Sequence, residues 1–270
     1  MKAFGTTLTY RISIFSFLWE TKMNVILGLT PRCGSTSLAK SIRQSCKLHV
    51  AMEPFHDTLN RPRSYAMYRG HKQTRSLDSS FSIMSNDGYG CIKYLYYQLS
   101  PEENKTLLKM AESTIILYRK YFVDTMISRY MSTSFNNLTK LGWLGQKVDC
   151  DDRRYSEYVV NKKIYDSLER SPLLIDNIKR KYLVAQHSFT SLKQDLQENV
   201  MLMEYDSLYN TEEVYNIFPR IVSFLGYRTY NDEWRGIMSP HNKFNSHDVY
   251  KRVIPNYEEL MNCRDEFIIE

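Results

Sequence analysis

The chain has 270 residues, a formal net charge of +6 and 43% apolar residues, enough for one large domain or two small ones with a sizeable core. Its five cysteines are odd in number and include no CxxC, which predicts reduced thiols instead of a disulfide framework, and the six histidines show no metal-ligand spacing. The mild positive charge points to an anionic ligand or surface, and with no zinc-finger spacing or basic arm it gives no case for nucleic acid.

The apolar run at 12–19 is much shorter than the ~20 residues that span a bilayer, and no small-residue cleavage pattern follows it. Residues 1–22 are therefore expected to be an N-terminal extension, and 23–270 a single domain in a cytoplasmic chain. From Met23 onward, apolar, β-branched runs predict strands at 25–29, 48–52, 89–94, 114–118 and 200–203. Between them the spacing predicts helices at about 35–46, 101–110, 122–135 and 211–225. Pro101 stands in the first turn of the second of these helices, and Gly226 ends the last. A long helical region is expected over 156–196, broken near Pro172, and a loop-rich tail over 231–257. Strands alternating with helices predict an α/β fold, a three-layer sandwich with a central parallel sheet, plus a helical insertion. Ligands of such sheets bind outside the carboxyl ends of the strands.

The first strand runs directly into "TPRCGSTS" and then a helix. Helix N-termini offer unpaired backbone N–H groups and a partial positive charge. Gly34 permits close backbone approach, Ser35, Thr36 and Ser37 add hydroxyls, and Arg32 adds a permanent cationic fork. The composition fits a phosphate cradle, while simple capping by Ser35 or Thr36 would account for part of it. The GxxxxGKS/T pattern of NTPase loops is absent. A cysteine-phosphatase loop is also absent, since Arg32 precedes Cys33 and Ala39 stands six positions after it.

"TPRCGSTSL" resembles the 5′-phosphosulfate loop of the sulfotransferases, with Cys33 where that family commonly has serine. "ILYRKYFVDTMISRY" is similar to their 3′-phosphate strand and helix, and "MEPFHD" to the acidic segment after their second strand. "VMLMEYDSLYN" with "IVSFLGY", and "RVIPNYEEL", resemble two further segments in the family's order. The resemblance spans about 23–260 and is closest in style to carbohydrate and protein-tyrosine sulfotransferases. It implies 3′-phosphoadenosine 5′-phosphosulfate (PAPS) as donor, 3′-phosphoadenosine 5′-phosphate (PAP) as product and no metal. The acceptor is implied to be a hydroxyl or amine of a small molecule or glycan.

By the same resemblance, Arg32 neutralises the leaving 5′-phosphate, and Arg32, Cys33, Gly34, Ser35, Thr36 and Ser37 form its loop. Arg119 and Ser128 hold the 3′-phosphate, with Lys120, eight positions before Ser128, as the alternative cation. Tyr121 replaces the family's usual Asp or Asn. Glu53 is the expected general base, with His56 the other choice. Tyr205 packs on the adenine, and Lys243 closes over the 3′-phosphate. Lys93, ending the third strand, draws no role. Two other classes stay open: a nucleotide kinase or NTPase-like enzyme, and a non-catalytic nucleotide-binding module of the same fold.

Overall fold

The computed structural model describes residues 23–56, 77–140, 171–194, 196–209, 212–238, 250–251 and 253–270. Five parallel strands lie in the order β2-β3-β1-β4-β5: β1 (Asn24–Gly28), β2 (His49–Met52), β3 (Tyr89–Leu95), β4 (Thr114–Tyr118) and β5 (Val200–Glu204). The expected strands are present, with ends differing by at most one residue. Nine α-helices are described: α1 (Ser35–Ser45), α2 (Leu77–Asn86), α3 (Pro101–Met110), α4 (Phe122–Lys140), α5 (Ile175–Gln194), α6 (Tyr205–Tyr209), α7 (Val214–Phe224), α8 (Glu233–Met238) and α9 (Tyr257–Asn262).

The sheet is buried on both faces, so its central strands read as continuous apolar runs. Alternate residues of one strand enter opposite cores. Val25 and Leu27 join the core under α2, α3, α4, α5 and α9, while Ile26 joins the core under α1, α7 and α8. Ile116 and its neighbours Ile115 and Leu117 divide in the same way. This gives the three layers of an α/β sandwich. Met23, fully buried, continues β1 into the first core.

Three features depart from the sequence reading. The helix at 77–86 was not anticipated, because its "LDSSFSIMSN" is serine-rich; Phe81 and Met84 fix it by packing into the core. The tail expected to be loop contains α8, whose buried Trp234 stacks on Phe218 with ring centroids 4.4 Å apart. The helix starting at 122 runs on to Lys140. Of the expected helical insertion, α5 is described, and 171–174 before it is not helical, as Pro172 requires. Residues 1–22, 57–76 and 141–170 lie outside the described residues, as does Lys243.

Candidate functional site

The loop between β1 and α1 sits at the carboxyl edge of the sheet, where β1 is flanked by β3 and β4. Its backbone is unusual. Arg32 has φ 69° and Gly34 φ 84°, both left-handed. Arg32, Lys47 and Glu53 are the non-glycine residues with positive φ among the described residues, so two of the three belong to the expected site. Such conformations cost on the order of 1–3 kcal/mol and persist where surroundings over-determine them.

Gly34 is the N-cap of α1 and no side chain caps it, which overturns the capping reading of Ser35 and Thr36. Ser35 is itself buried within the first turn, while Thr36 is exposed. Cys33 is fully buried in the core beneath α1, so only its backbone faces the loop. Gly34 is hemmed in by tyrosines: an added Cβ would lie 2.4 Å from Tyr209 Cε2 and 2.9 Å from Tyr205 Cδ2. The Tyr209 hydroxyl donates to Gly34 O at 2.7 Å. Gly34→Ala should therefore cost about 2–4 kcal/mol, combining left-handed strain with overpacking. Chemical denaturation would check this, and a loss below about 0.5 kcal/mol, the ordinary surface range, would show that the loop relaxes freely.

The second cluster follows β4. Arg32 Nε donates to Ser128 Oγ on α4 at 3.3 Å, bringing together residues 96 positions apart. The Arg119 guanidinium lies 3.7 Å from the centroid of the Tyr205 ring, a cation–π stack. Its Nη1 donates to Asp124 O at 3.1 Å, and its buried Nε has no hydrogen-bond partner. Buried guanidinium N–H groups are ordinarily satisfied, so this one is suited to an incoming acceptor oxygen. The Lys120 Nζ is 5.7 Å from the Tyr121 ring, and Lys120 offsets the upward push that burial and Asp206 give the Glu204 carboxyl.

Tyr121 has a structural duty. It bridges to Ile268, and the Arg264 guanidinium covers its ring at 3.6 Å. Arg264 in turn forks onto the Asp124 carboxylate at 3.0 and 2.7 Å. Asp124, whose carbonyl holds Arg119, is thus fixed from the C-terminal segment. Tyr250 also reaches this cluster: burial pushes its phenol up to about 12, with Arg119 pulling the other way and Tyr205 adding to the rise.

On the other side, Glu53 follows β2 with φ 50°. Its Oε1 pairs with the Lys93 ammonium and its Oε2 accepts from Gln98 Nε2 at 3.1 Å. Lys93 is 1% exposed, and buried ammonium groups are held by a counter-charge. Sequence reasoning left Lys93 without a role. The signal was there, since a single cation inside "YGCIKYL" has to be paired or reach solvent. His56 is half-buried, its backbone N donates to Glu53 O at 3.1 Å, and its ring lies 6.5 Å from that of Tyr97. Burial and the Glu53 charge both push the Tyr97 phenol up, so Tyr97 stands next to the same carboxylate.

The loop, the Arg119–Ser128 cluster and the Glu53–Lys93 pair all lie where carboxyl ends of the strands meet the helices that follow. Among the described residues, no group of three or more His, Cys, Asp or Glu could hold a metal ion. No described helix is long and apolar enough to cross a membrane.

The chain matches no family model and no curated protein. Among solved structures it is similar to the sulfotransferase domain from the Synechococcus PCC 7002 olefin synthase, at 13% identity and a TM-score of 0.31, with 88% of this chain and 82% of that one covered. A likeness that weak leaves the fold resting on the sheet order and the two cores described above.

Proposed function

We propose that this protein is a sulfotransferase that uses PAPS and transfers its sulfuryl group to an acceptor hydroxyl. The observation that carries the reading is the Arg32 Nε–Ser128 Oγ hydrogen bond, which ties the strained loop to α4, the helix whose first turn holds Arg119 through Asp124 O. A donor with phosphate at both the 5′ and 3′ positions needs two anion sites. The residues present fit it: backbone amides at the start of α1, the guanidinium of Arg32, the orphaned Nε of Arg119 and the Tyr205 ring.

When bound, the donor supplies a sulfuryl group on a phosphate leaving group; the acceptor oxygen–sulfur bond forms as the sulfur–bridging oxygen bond breaks, and the electron pair departs on the phosphate. Arg32 neutralises that developing charge, as preorganised cations do. Glu53 takes the hydroxyl proton, with Gln98 fixing its orientation. Protonating Glu53 leaves the buried Lys93 ammonium without its counter-charge, and the oxygens of the transferred group can then take that place. An interaction gained only as the reaction proceeds lowers the barrier without tightening ground-state binding. His56 stands in the same turn as Glu53 and is the alternative base.

Calorimetry with PAP and AMP tests the donor assignment. PAP should bind more tightly, because each charge-assisted hydrogen bond to the 3′-phosphate contributes roughly 1.5–3 kcal/mol. Arg119→Ala should erase most of that preference and leave AMP binding nearly unchanged. Equal affinity of the wild-type protein for PAP and AMP would sink the proposal.

A further inference from the structure

A cleft of about 670 Å³ opens beside the loop, walled by Leu29–Pro31, by the turn after β3 and by facing surfaces of α4 and α5. That volume is in the range of small-molecule pockets. Most of its wall is apolar, with Phe122, Met126, Leu183 and Val184 prominent. Leu183 and Val184 are 56% and 69% exposed, an apolar surface turned outward on α5. Two cations, Arg129 and Lys181, also line it, and among the described residues no carboxylate does. One polar group is conspicuous. Thr125 is 3% exposed, lines the cleft, and its Oγ1 has no hydrogen-bond partner. It lies one turn before Ser128, which accepts from Arg32. Tyr97, also in the wall, stands against Glu53.

We infer that this cleft is the acceptor site, and that the acceptor is an apolar hydroxyl compound with an anionic group, not a sugar or a cationic amine. The inference rests on the sulfotransfer reading, since it names the acceptor side of that same site. A glycan exposes many hydroxyls, each of which needs a partner when desolvated, and this wall supplies few. An apolar body gains from covering Phe122, Met126, Leu183 and Val184. The orphaned Thr125 hydroxyl takes up the acceptor's hydroxyl one turn from Ser128, the partner of Arg32, while Arg129 and Lys181 select an acidic group and repel an ammonium.

The test is binding of ω-hydroxydodecanoate, ω-aminododecanol, dodecanoate and N-acetylglucosamine by calorimetry, with PAP titrated into the same protein. The hydroxy acid should bind about tenfold or more tightly than the amino alcohol and the sugar, through like-charge exclusion and apolar burial. Val184→Glu, at an exposed position that leaves the fold intact, should weaken the hydroxy acid by a similar factor and leave PAP affinity unchanged. Thr125→Val should narrow the preference for ω-hydroxydodecanoate over dodecanoate. Tighter binding of N-acetylglucosamine, or a hydroxy acid indifferent to Val184→Glu, overturns the cleft assignment even where PAP binds well. Failure of PAP to bind, with the hydroxy acid still held in a Val184-sensitive manner, overturns the donor reading and leaves the cleft as an amphiphile site.

Discussion

Glu53→Gln should slow turnover by about 10²–10⁴-fold, the usual worth of general-base catalysis, with PAP affinity nearly unchanged. Glutamine keeps the volume of the side chain and can still accept from Gln98 or Lys93, but it cannot take a proton. The substitution also leaves the Lys93 ammonium, 1% exposed, without its counter-charge. Breaking a buried pair on one side costs about 3–5 kcal/mol, and the 19% exposure of Glu53 puts this case toward the low end. The assay therefore belongs well below the melting temperature of the variant, with a thermal melt alongside. His56→Ala, which leaves the Lys93 pair intact, should cost less and mostly in acceptor affinity. If His56→Ala abolishes turnover while Glu53→Gln does not, the two roles are reversed. An activated phenol is unsuitable as the acceptor, since it ionises without help and hides the loss.

Arg32→Ala should lower kcat by about 10²–10³-fold, the loss seen when one preorganised stabiliser of developing charge is removed. In contrast to Glu53→Gln, its stability should change by less than about 0.5 kcal/mol, because Arg32 is an exposed residue and alanine keeps the same strained backbone. Ser128 loses a donor at 3.3 Å, a long hydrogen bond between exposed groups. Arg32→Lys should recover only part of the rate, since an ammonium lacks the planar fork. A kcat within tenfold of wild type for Arg32→Ala, at saturating donor, would remove Arg32 from the chemical step. The pair of variants separates two effects: one is destabilised and slow, the other stable and slow.

The strands and the strand-to-helix loop after β1 were legible because local pattern and tertiary position coincide there. "TIILY" is apolar and β-branched, flanked by polar residues, and it became β4 with the bounds expected. A strand buried on both faces has no other way to look. The composition of the loop was legible because a glycine, hydroxyls and a cation are written in residue type, whereas the left-handed backbone at Arg32 is not. Ser128 was legible only through the family resemblance. An isolated helical serine carries no signal of its own, and its contact with Arg32 spans 96 residues.

What the sequence by itself determined was the alternation of strands and helices, the position of the first loop at a carboxyl edge, and the residue types available there. Those follow from periodicity, apolar runs and turn chemistry, all set within a few residues of one another. Only the tertiary structure decided which of these residues meet. Sheet register aligns Met52 with Lys93, so Glu53 comes next to a lysine 40 positions away and Lys93 gains a counter-charge that no local pattern announces. Parallel pairing of β4 with β5 brings Tyr205 over Arg119, and folding of the C-terminal segment brings Arg264 onto Asp124. Helix α8 exists because Trp234 finds Phe218 to stack on, and α2 because Phe81 and Met84 find a core to fill. Burial of that kind outweighs weak local propensity, and it is a property of the assembled layers and not of any window of the chain.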